Sequence, residues 1–211
     1  SELADEWMFK TWAKSKVRTW SATETFDFVD GNHDGYRRLK DPVTHRRRII
    51  FIKPHFWLVV DDLEAGEEHQ YDQYFHFGQG AKLTISHLDV RARYDNEAGI
   101  SLIPVNKNGM SLARYRGNTD PIQGWVSYDY GVKVAAEVVK YGVNAKSIQL
   151  ATLLAPFQAS PPGMKAESPD KDVFRVEYGD ELYQIILSDA QDKQWGDLEF
   201  DGEMLCAKFD M

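Results

Sequence analysis

Short apolar runs separated by turn residues dominate this sequence, and they restrict the fold more than any other feature. Residues 49–52 (IIFI) are apolar at every position, as in a strand buried on both faces. Segments such as KLTISHLDV and VFRVEYG alternate apolar and polar residues, and Gly, Pro, Asn and Asp cluster between them. No segment keeps a helical period beyond one turn. The pattern predicts an all-β fold, an antiparallel multi-stranded β-sandwich of two stacked sheets with almost no helix.

The same pattern makes local predictions. We expect residues 45–53 and 55–62 to be neighbouring parts of one strand, which pairs with residues 70–77 after a turn at LEAGEE. Asp201 and Gly202, between alternating segments, predict a type I′ hairpin. Residues 160–172 (SPPGMKAESPDKD) predict an exposed loop. In a free-standing domain, the aromatic first thirty residues are expected to pack onto a sheet. Residues 1–211 are predicted to form a single β-sandwich domain.

Composition excludes several classes of function. The net charge of −8 argues against a surface that follows nucleic-acid phosphates. No apolar run reaches the roughly 20 residues of a membrane helix. The start, SELADEWMFKTW, has neither the basic nor the apolar region of a signal peptide and does not begin with Met. We therefore expect the chain to be a fragment of a longer protein.

Histidine and cysteine give no catalytic or metal site. The six histidines include no His-x-His pair, and His69 and His76 are seven residues apart, so they lie on opposite faces of a regular strand. Hydrogen-bonded histidines at strand ends are the favoured interpretation. The single Cys206 is expected to pack in the last strand rather than act as a nucleophile. The chain is predicted to hold no catalytic residue and no metal ligand.

Two groups of residues are candidates for substrate binding. Arg46 and Arg48 share one strand face and suit the carboxylate or sulfate groups of an anionic sugar. The alternative, which we favour, is that residues 46–48 pair with carboxylates such as Asp61, Asp62 or Asp72. The second group is a stacking platform for sugar rings in the segment QGWVSYDYG, with core packing as its alternative. Its members are Trp125, Tyr128 and Tyr130.

Several segments, in order, resemble one family. HDGYRRLKDPVTHRRRIIFIKPHFWLVVDDLEAGEEHQYDQYFHF, QGWVSYDYG and TLLAP are similar to the later part of the C-terminal β-sandwich region of heparinase II/III-like polysaccharide lyases. The resemblance covers roughly residues 20–156, and we expect it to extend over the remainder, because the family ends in more strands. Each motif is loose alone, and their order makes the match specific.

The resemblance implies a longer enzyme, because family members join an N-terminal α-helical toroid to the sandwich. They cleave uronate-containing polysaccharides, such as glycosaminoglycans or alginate, by β-elimination. It also implies an acidic polysaccharide or oligosaccharide as partner, a periplasmic or secreted location, and a divalent metal such as zinc in the full-length enzyme. The toroid and the metal-binding segment have no match in this chain, so we expect the isolated chain to be inactive.

Two other interpretations compete with a lyase fragment. The chain could be a free-standing carbohydrate-binding β-sandwich module, or a complete small β-enzyme with a metal. The missing His-x-His pair weighs against the second of these.

Overall fold

The computed structural model describes the backbone of residues 2–3, 8–189, 193–195, 198–200 and 202–210, and the side chains of residues 8–189 and 202–210. All regular structure in these residues is β-strand. In chain order the strands are β1 (Glu2–Leu3), β2 (Phe9–Thr11), β3 (Ser15–Ala22), β4 (Phe26–His33), β5 (Thr44–Ile52), β6 (Phe56–His76), β7 (Lys82–Ser86), β8 (Asp89–Arg93), β9 (Ala98–Pro104), β10 (Ser111–Arg116), β11 (Asn118–Thr119), β12 (Ile122–Gln123), β13 (Trp125–Val126), β14 (Val134–Ala135), β15 (Glu137–Gln158), β16 (Met164–Asp170), β17 (Val173–Tyr178), β18 (Glu181–Leu187), β19 (Lys193–Trp195), β20 (Leu198–Phe200) and β21 (Met204–Asp210).

The first of two compact units, residues 1–159, contains a nine-stranded antiparallel sheet. Its strand order is β3-β4-β5-β6-β15-β9-β8-β7, and β10 also pairs with β15. The two longest strands, β6 and β15, pair along most of their length. On its other side, the first part of β15 pairs with β10 and the last part pairs with β9. These two strands therefore connect all parts of the sheet.

The long strands bend, so that their two halves enclose a shared core. Leu63 and Tyr71 belong to β6, on either side of a register shift near residues 64–69, yet both lie in one buried cluster with Val43, Val143 and Leu150. A second cluster, which includes Val90, Leu102, Val139 and Tyr141, fills the space beside β7–β9. Burial of these apolar side chains stabilises the layered arrangement.

The second unit, residues 160–211, contains a four-stranded antiparallel sheet in the order β16-β17-β18-β21. Its buried side chains come from β17 and β18 and include Phe174, Val176, Ile185 and Leu187. The prediction of an all-β, antiparallel sandwich with almost no helix is confirmed. In the described residues there is no helix with the length and apolar character needed to cross a membrane. The prediction of a single domain over residues 1–211 stays a prediction.

The predicted pairing of residues 45–77 is wrong in two respects. Residues 45–53 and 55–62 are not parts of one strand, because β5 and β6 pair with each other as a hairpin that turns at Lys53, Pro54 and His55. Residues 70–77 are not their partner, because β6 continues through LEAGEE up to His76. A carboxylate explains the missing turn: Asp41 accepts hydrogen bonds from the backbone N–H groups of Gly66 and Glu67.

The predictions for both ends of the chain also need correction. The type I′ hairpin involves Asp201, which lies outside the described residues, but the strands around it pair elsewhere: β20 with β19, and β21 with β18. The predicted loop 160–172 contains β16, which pairs with β17. Of the N-terminal aromatic residues, Phe28 is buried, whereas Trp12 and Trp20 are 73% and 71% exposed. Trp7 lies outside the described side chains.

The edge strand β3 pairs irregularly with its neighbour β4. Its register against β4 shifts between Val17 and Thr19, so Arg18 forms a β-bulge there. Lys16 and Val17 are exposed beside the bulge. In the described sheet, β3 occupies the end of the strand order next to β4.

Candidate functional site

The first unit contains a cavity of about 350 Å³ between the two halves of the bent strand β6. Strand β5 and the loop before it supply one wall, and residues 69–74 of β6 supply another. The lining residues are Tyr36, Leu39, Val43, His45, Arg47, Asp61, Leu63, His69, Gln70, Tyr71, Asp72, Gln73, Tyr74 and Leu150. The bend in β6 therefore gathers polar groups from distant parts of the sequence.

A chain of hydrogen bonds runs from His33 through His45 to Asp61. The backbone N–H of Gly35 donates to His33 Nδ1, at 3.1 Å. His33 Nε2 therefore donates to His45 Nδ1, at 2.9 Å, and His45 Nε2 donates to Asp61 Oδ1, at 2.7 Å. Burial and the neighbouring His45 lower the pKa of His33. The geometry and the pKa shift both favour neutral His33.

Asp61 is the buried centre of the cavity wall. Besides His45, Arg47 donates to both carboxylate oxygens, from Nε at 2.6 Å and Nη2 at 2.8 Å. Gln73 Nε2 donates to Asp61 Oδ2 at 3.0 Å, and the Thr152 hydroxyl donates to the side-chain oxygen Oε1 of Gln73. Burial alone would raise the pKa of Asp61, but the hydrogen bonds from His45 and Arg47 lower it overall. Asp61 is therefore an ionised carboxylate that positions its partners.

Arg47 and Tyr36 line the cavity and carry polar groups that remain accessible to solvent. The Arg47 side chain is 47% exposed although Asp61 holds its Nε and Nη2 edge. The hydrogen bond to Asp61 raises the pKa of Arg47, so the guanidinium stays cationic. Tyr36 is 42% exposed, and its phenol is close enough to Arg47 to affect that pKa. Together they offer a cation and a hydroxyl to an anionic ligand.

Asp41 holds His69, which is one of the residues that line the cavity. The carboxylate of Asp41 accepts from His69 Nε2 at 2.8 Å and from two backbone N–H groups of the irregular part of β6. The hydrogen bond from His69, followed by that from Glu67, lowers the pKa of Asp41. This contact fixes the course of β6 where it enters the cavity wall.

Arg46 and Arg48 point to the opposite face from Arg47, as their spacing predicts. Arg46 binds both oxygens of the buried Asp30, at 2.9 and 2.7 Å. Arg48 is itself buried, and its Nη2 donates to Asp62 Oδ2 at 2.5 Å. The expectation that nearby carboxylates hold at least one arginine of residues 46–48 is confirmed. Substrate binding by Arg46 and Arg48 stays a prediction.

Comparison with known proteins identifies the family of this chain. A family model described as heparinase II/III-like, C-terminal, matches residues 1–167. The chain belongs to the heparinase II/III-like family.

Solved structures agree with this family at the level of the fold. Heparan sulfate lyase HepC from Pedobacter heparinus is 14% identical, with a TM-score of 0.66 over 77% of this chain and 26% of that chain. A structure described as heparinase III, BT4657 gene product, is 14% identical, with a TM-score of 0.67 over 94% of this chain and 28% of that chain. No curated protein matches. This heparinase II/III-like chain thus spans about a quarter of the length of these structures.

The predicted aromatic platform of this heparinase II/III-like chain lies in residues 123–131. Trp125 Nε1 donates to the Asn118 carbonyl at 2.7 Å, and the Lys133 ammonium lies 4.3 Å from the centre of the indole ring. Tyr128 accepts a hydrogen bond from the Gln79 N–H and is 63% exposed. Tyr130 is 98% exposed. Sugar stacking on these rings stays a prediction.

Sequence reasoning missed the cavity because its residues pair across strands. The lining residues of the cavity, in the described part of the chain, include none of the five predicted binding residues. His33 lies directly opposite His45, and Arg47 lies opposite Asp61. A search for two histidines in one strand does not detect this arrangement. The register of β4 against β5 would have revealed it, but a long loop separates these strands.

Metal-ligating side chains do not converge in the described part of this heparinase II/III-like chain. Across residues 8–189 and 202–210, no group of three or more His, Cys, Asp or Glu side chains could hold a metal ion. Both ring nitrogens of His45 already take part in hydrogen bonds. The prediction that this chain supplies no metal ligand stays a prediction.

Proposed function

We propose that this chain is the C-terminal β-sandwich portion of a polysaccharide lyase that cleaves uronate-containing polysaccharides by β-elimination. In the full-length enzyme it forms part of the wall of the substrate cleft. The observation that carries this proposal is the cavity around Asp61, in a chain that belongs to the heparinase II/III-like family. An accessible arginine and an accessible phenol there suit an acidic sugar.

The chemistry of β-elimination explains what these residues contribute. The reaction requires that the uronate carboxylate is neutralised, that the C5 proton is removed and that the leaving oxygen is protonated. Arg47 neutralises the carboxylate with the N–H groups that do not bind Asp61, and Tyr36 hydrogen-bonds the same sugar. His33 and His45 act through Asp61, since they orient it toward Arg47.

The rest of the enzyme belongs to the longer protein in this proposal. An N-terminal α-helical domain completes the cleft, and the divalent metal, such as zinc, is held outside the described part of this chain. No step that we assign to this chain passes through the metal. The full-length protein works in the periplasm or as a secreted enzyme on an acidic polysaccharide.

A binding experiment with the isolated chain tests the cleft wall. We expect Tyr36→Phe to weaken the binding of an acidic uronate oligosaccharide several-fold, because one hydrogen bond is lost, with no change in melting temperature. Tyr115→Phe, in β10 outside the cavity lining, is the matched control. Equal affinities of wild type and Tyr36→Phe would contradict the assignment.

An activity experiment tests whether the isolated chain is a complete enzyme. Incubation with heparan sulfate, alginate or other uronate polymers should form no unsaturated sugar ends, which are measured by their absorbance. Product formation that disappears in Tyr36→Phe, His76→Ala or Tyr128→Phe would show that the chain catalyses the reaction alone.

A free-standing carbohydrate-binding module is the second candidate function. The exposure of Tyr128 and Tyr130 favours it, because sugar-stacking rings must be open to solvent. This function predicts that Tyr130→Ala weakens the binding of neutral and acidic oligosaccharides alike. A cleft wall predicts instead that Tyr36→Phe weakens the binding of acidic oligosaccharides, whereas Tyr130→Ala leaves it unchanged.

A further inference from the structure

The first unit has an open crevice outside the cavity just described. Its lining residues are Gly80, Ala81, Lys82, Leu83, Arg114, Arg116 and Glu137. None of them lines the cavity around Asp61. Three of the side chains are cationic and one is anionic, in a chain whose net charge is −8. The crevice is thus a local basic site in an acidic protein.

Arg114 and Arg116 are held by one buried carboxylate. They lie two residues apart in β10, so both side chains lie on the same face of the strand. Glu137, at the start of β15, is directly opposite Arg116. Its side chain is 4% exposed, and it accepts from Arg114 Nε at 2.8 Å and Nη2 at 2.6 Å. This hydrogen-bonded pair fixes the orientation of Arg114.

One arginine is enough to compensate the buried glutamate, so the second needs another explanation. The closest approach of Arg116 to Glu137 is 3.6 Å, from Nε to Oε1, beyond the distance of a strong hydrogen bond. Among the described residues the Arg116 guanidinium donates no hydrogen bond, and its side chain is 60% exposed. Arg114 is 46% exposed and keeps its Nη1 group outside the bond to Glu137. The pair therefore presents two sets of donors to solvent.

We propose that Arg114 and Arg116, oriented by Glu137, bind a single oxyanion group of an acidic saccharide, either a sulfate ester or a carboxylate. Guanidinium groups bind such groups through two parallel hydrogen bonds. Lys82 adds a third positive charge at the rim, although it also pairs with Asp95 on the surface. Glu137 lies four residues before Tyr141 in β15, and Tyr141 pairs with the cavity residue Gln73. The crevice and the cavity are therefore about 14 Å apart along the strand. The choice of a saccharide as ligand rests on the polysaccharide function proposed above, although the site shares no residue with the cleft wall.

The test uses the 211-residue chain and three probes: inorganic sulfate, a sulfated uronate disaccharide and the same disaccharide without sulfate. Calorimetry measures affinity, and NMR follows the Nε–H signals of Arg114 and Arg116. We expect both signals to shift, and Arg116→Gln to weaken disaccharide binding about tenfold at an unchanged melting temperature. Arg91→Gln, an exposed arginine in β8, is the matched control and should bind like wild type.

Comparison of the probes identifies the group that is recognised. Weaker binding without sulfate assigns the site to a sulfate ester, and equal binding assigns it to the carboxylate. Wild-type affinity of Arg116→Gln, an equal loss in Arg91→Gln, or unshifted Nε–H signals would overturn the proposal. The cleft proposal would survive that outcome, because Tyr36→Phe tests a different set of residues.

Discussion

Asp61 shows how one buried carboxylate organises the cavity. It accepts hydrogen bonds from His45, Arg47 and Gln73, which come from two strands. Removal of its charge would leave the Arg47 cation beside a site that no longer compensates it. Asp61 is buried whereas Arg47 is 47% exposed, so the main cost is the loss of charge-assisted hydrogen bonds to the buried carboxylate.

We therefore expect Asp61→Asn to lower the free energy of unfolding by about 2 kcal/mol, measured by urea denaturation. Asp95→Asn is the matched control, because Asp95 is 82% exposed in its pair with Lys82, and it should unfold like wild type. If the two variants were equally stable, the carboxylate of Asp61 would have no structural role.

His33 should make stability depend on pH. Burial and His45 lower its pKa below the ordinary value of 6.5, so the unfolded chain binds a proton more readily than the folded one. Its contribution is fully present above pH 6.5 and is lost as the pH falls toward the lowered folded pKa. Between pH 7.5 and 5.5, we expect the free energy of unfolding to fall more in wild type than in His33→Asn. Equal pH slopes would contradict this expectation.

The residue scale also shows what spacing alone can predict. Arginines at 46–48 and aspartates at 61–62 predict ion pairs, because opposite charges near strand ends meet across neighbouring strands. The structure contains two such pairs, through Arg47 and Arg48, whereas Arg46 binds Asp30. The His33–His45 contact depends on the register of two strands separated by a loop, which local pattern does not specify.

Strands and turns were harder to predict than residue pairs. The pattern of residues 45–62 predicts two parts of one strand, but the chain reverses at Pro54 and forms the β5–β6 hairpin. The LEAGEE segment predicts a turn, but Asp41 binds the backbone of Gly66 and the strand continues. In both cases a contact or a register outside the local segment decides the conformation.

The loop that follows β10 gives a prediction at the scale of elements. Gly124 has a φ of +77°, and a Cβ there would lie 2.7 Å from Arg116 Cα. Gly131 has a φ of +72° but would place its Cβ in open space. We expect Gly131→Ala to cost about 1 kcal/mol of stability and Gly124→Ala about 3 kcal/mol, because only the latter adds a backbone clash. Thermal or urea unfolding of both variants measures the difference.

A similar loss of stability in the two glycine variants would show that the backbone around Gly124 and β10 relaxes without cost. Gly124→Ala should also weaken anion binding at the crevice, because the clash displaces the backbone of Arg116 itself.

The whole molecule depends on contacts between distant parts of the chain. Pairing of β6 with β15 joins residues 62 positions apart at His76 and Val138, and 97 apart at Trp57 and Leu154. Closing such loops costs entropy before the contacts form, so we expect refolding after urea dilution in milliseconds to seconds or slower. Stopped-flow fluorescence of the tryptophans measures it, and refolding within microseconds would contradict this view.

Alternation of apolar and polar residues was enough to predict the all-β class, because the period of a strand is local. The cavity arises from how long strands bend and pair, which leaves no signal in a short window of sequence, whereas the boundary between the two units coincides with the Pro-rich segment that begins at residue 160.

The bulged edge strand β3 has a consequence for the solubility of the isolated chain. Straight, uncharged edge strands add to the edges of other molecules and start aggregation. The bulge at Arg18 interrupts the regular spacing of β3, and the charge of Lys16 opposes the approach of a second strand. Exposed Trp20 and Val17 beside them would otherwise favour such association. We therefore expect Lys16 and the bulge to oppose the formation of fibrous or amorphous aggregates by the isolated chain at high concentration.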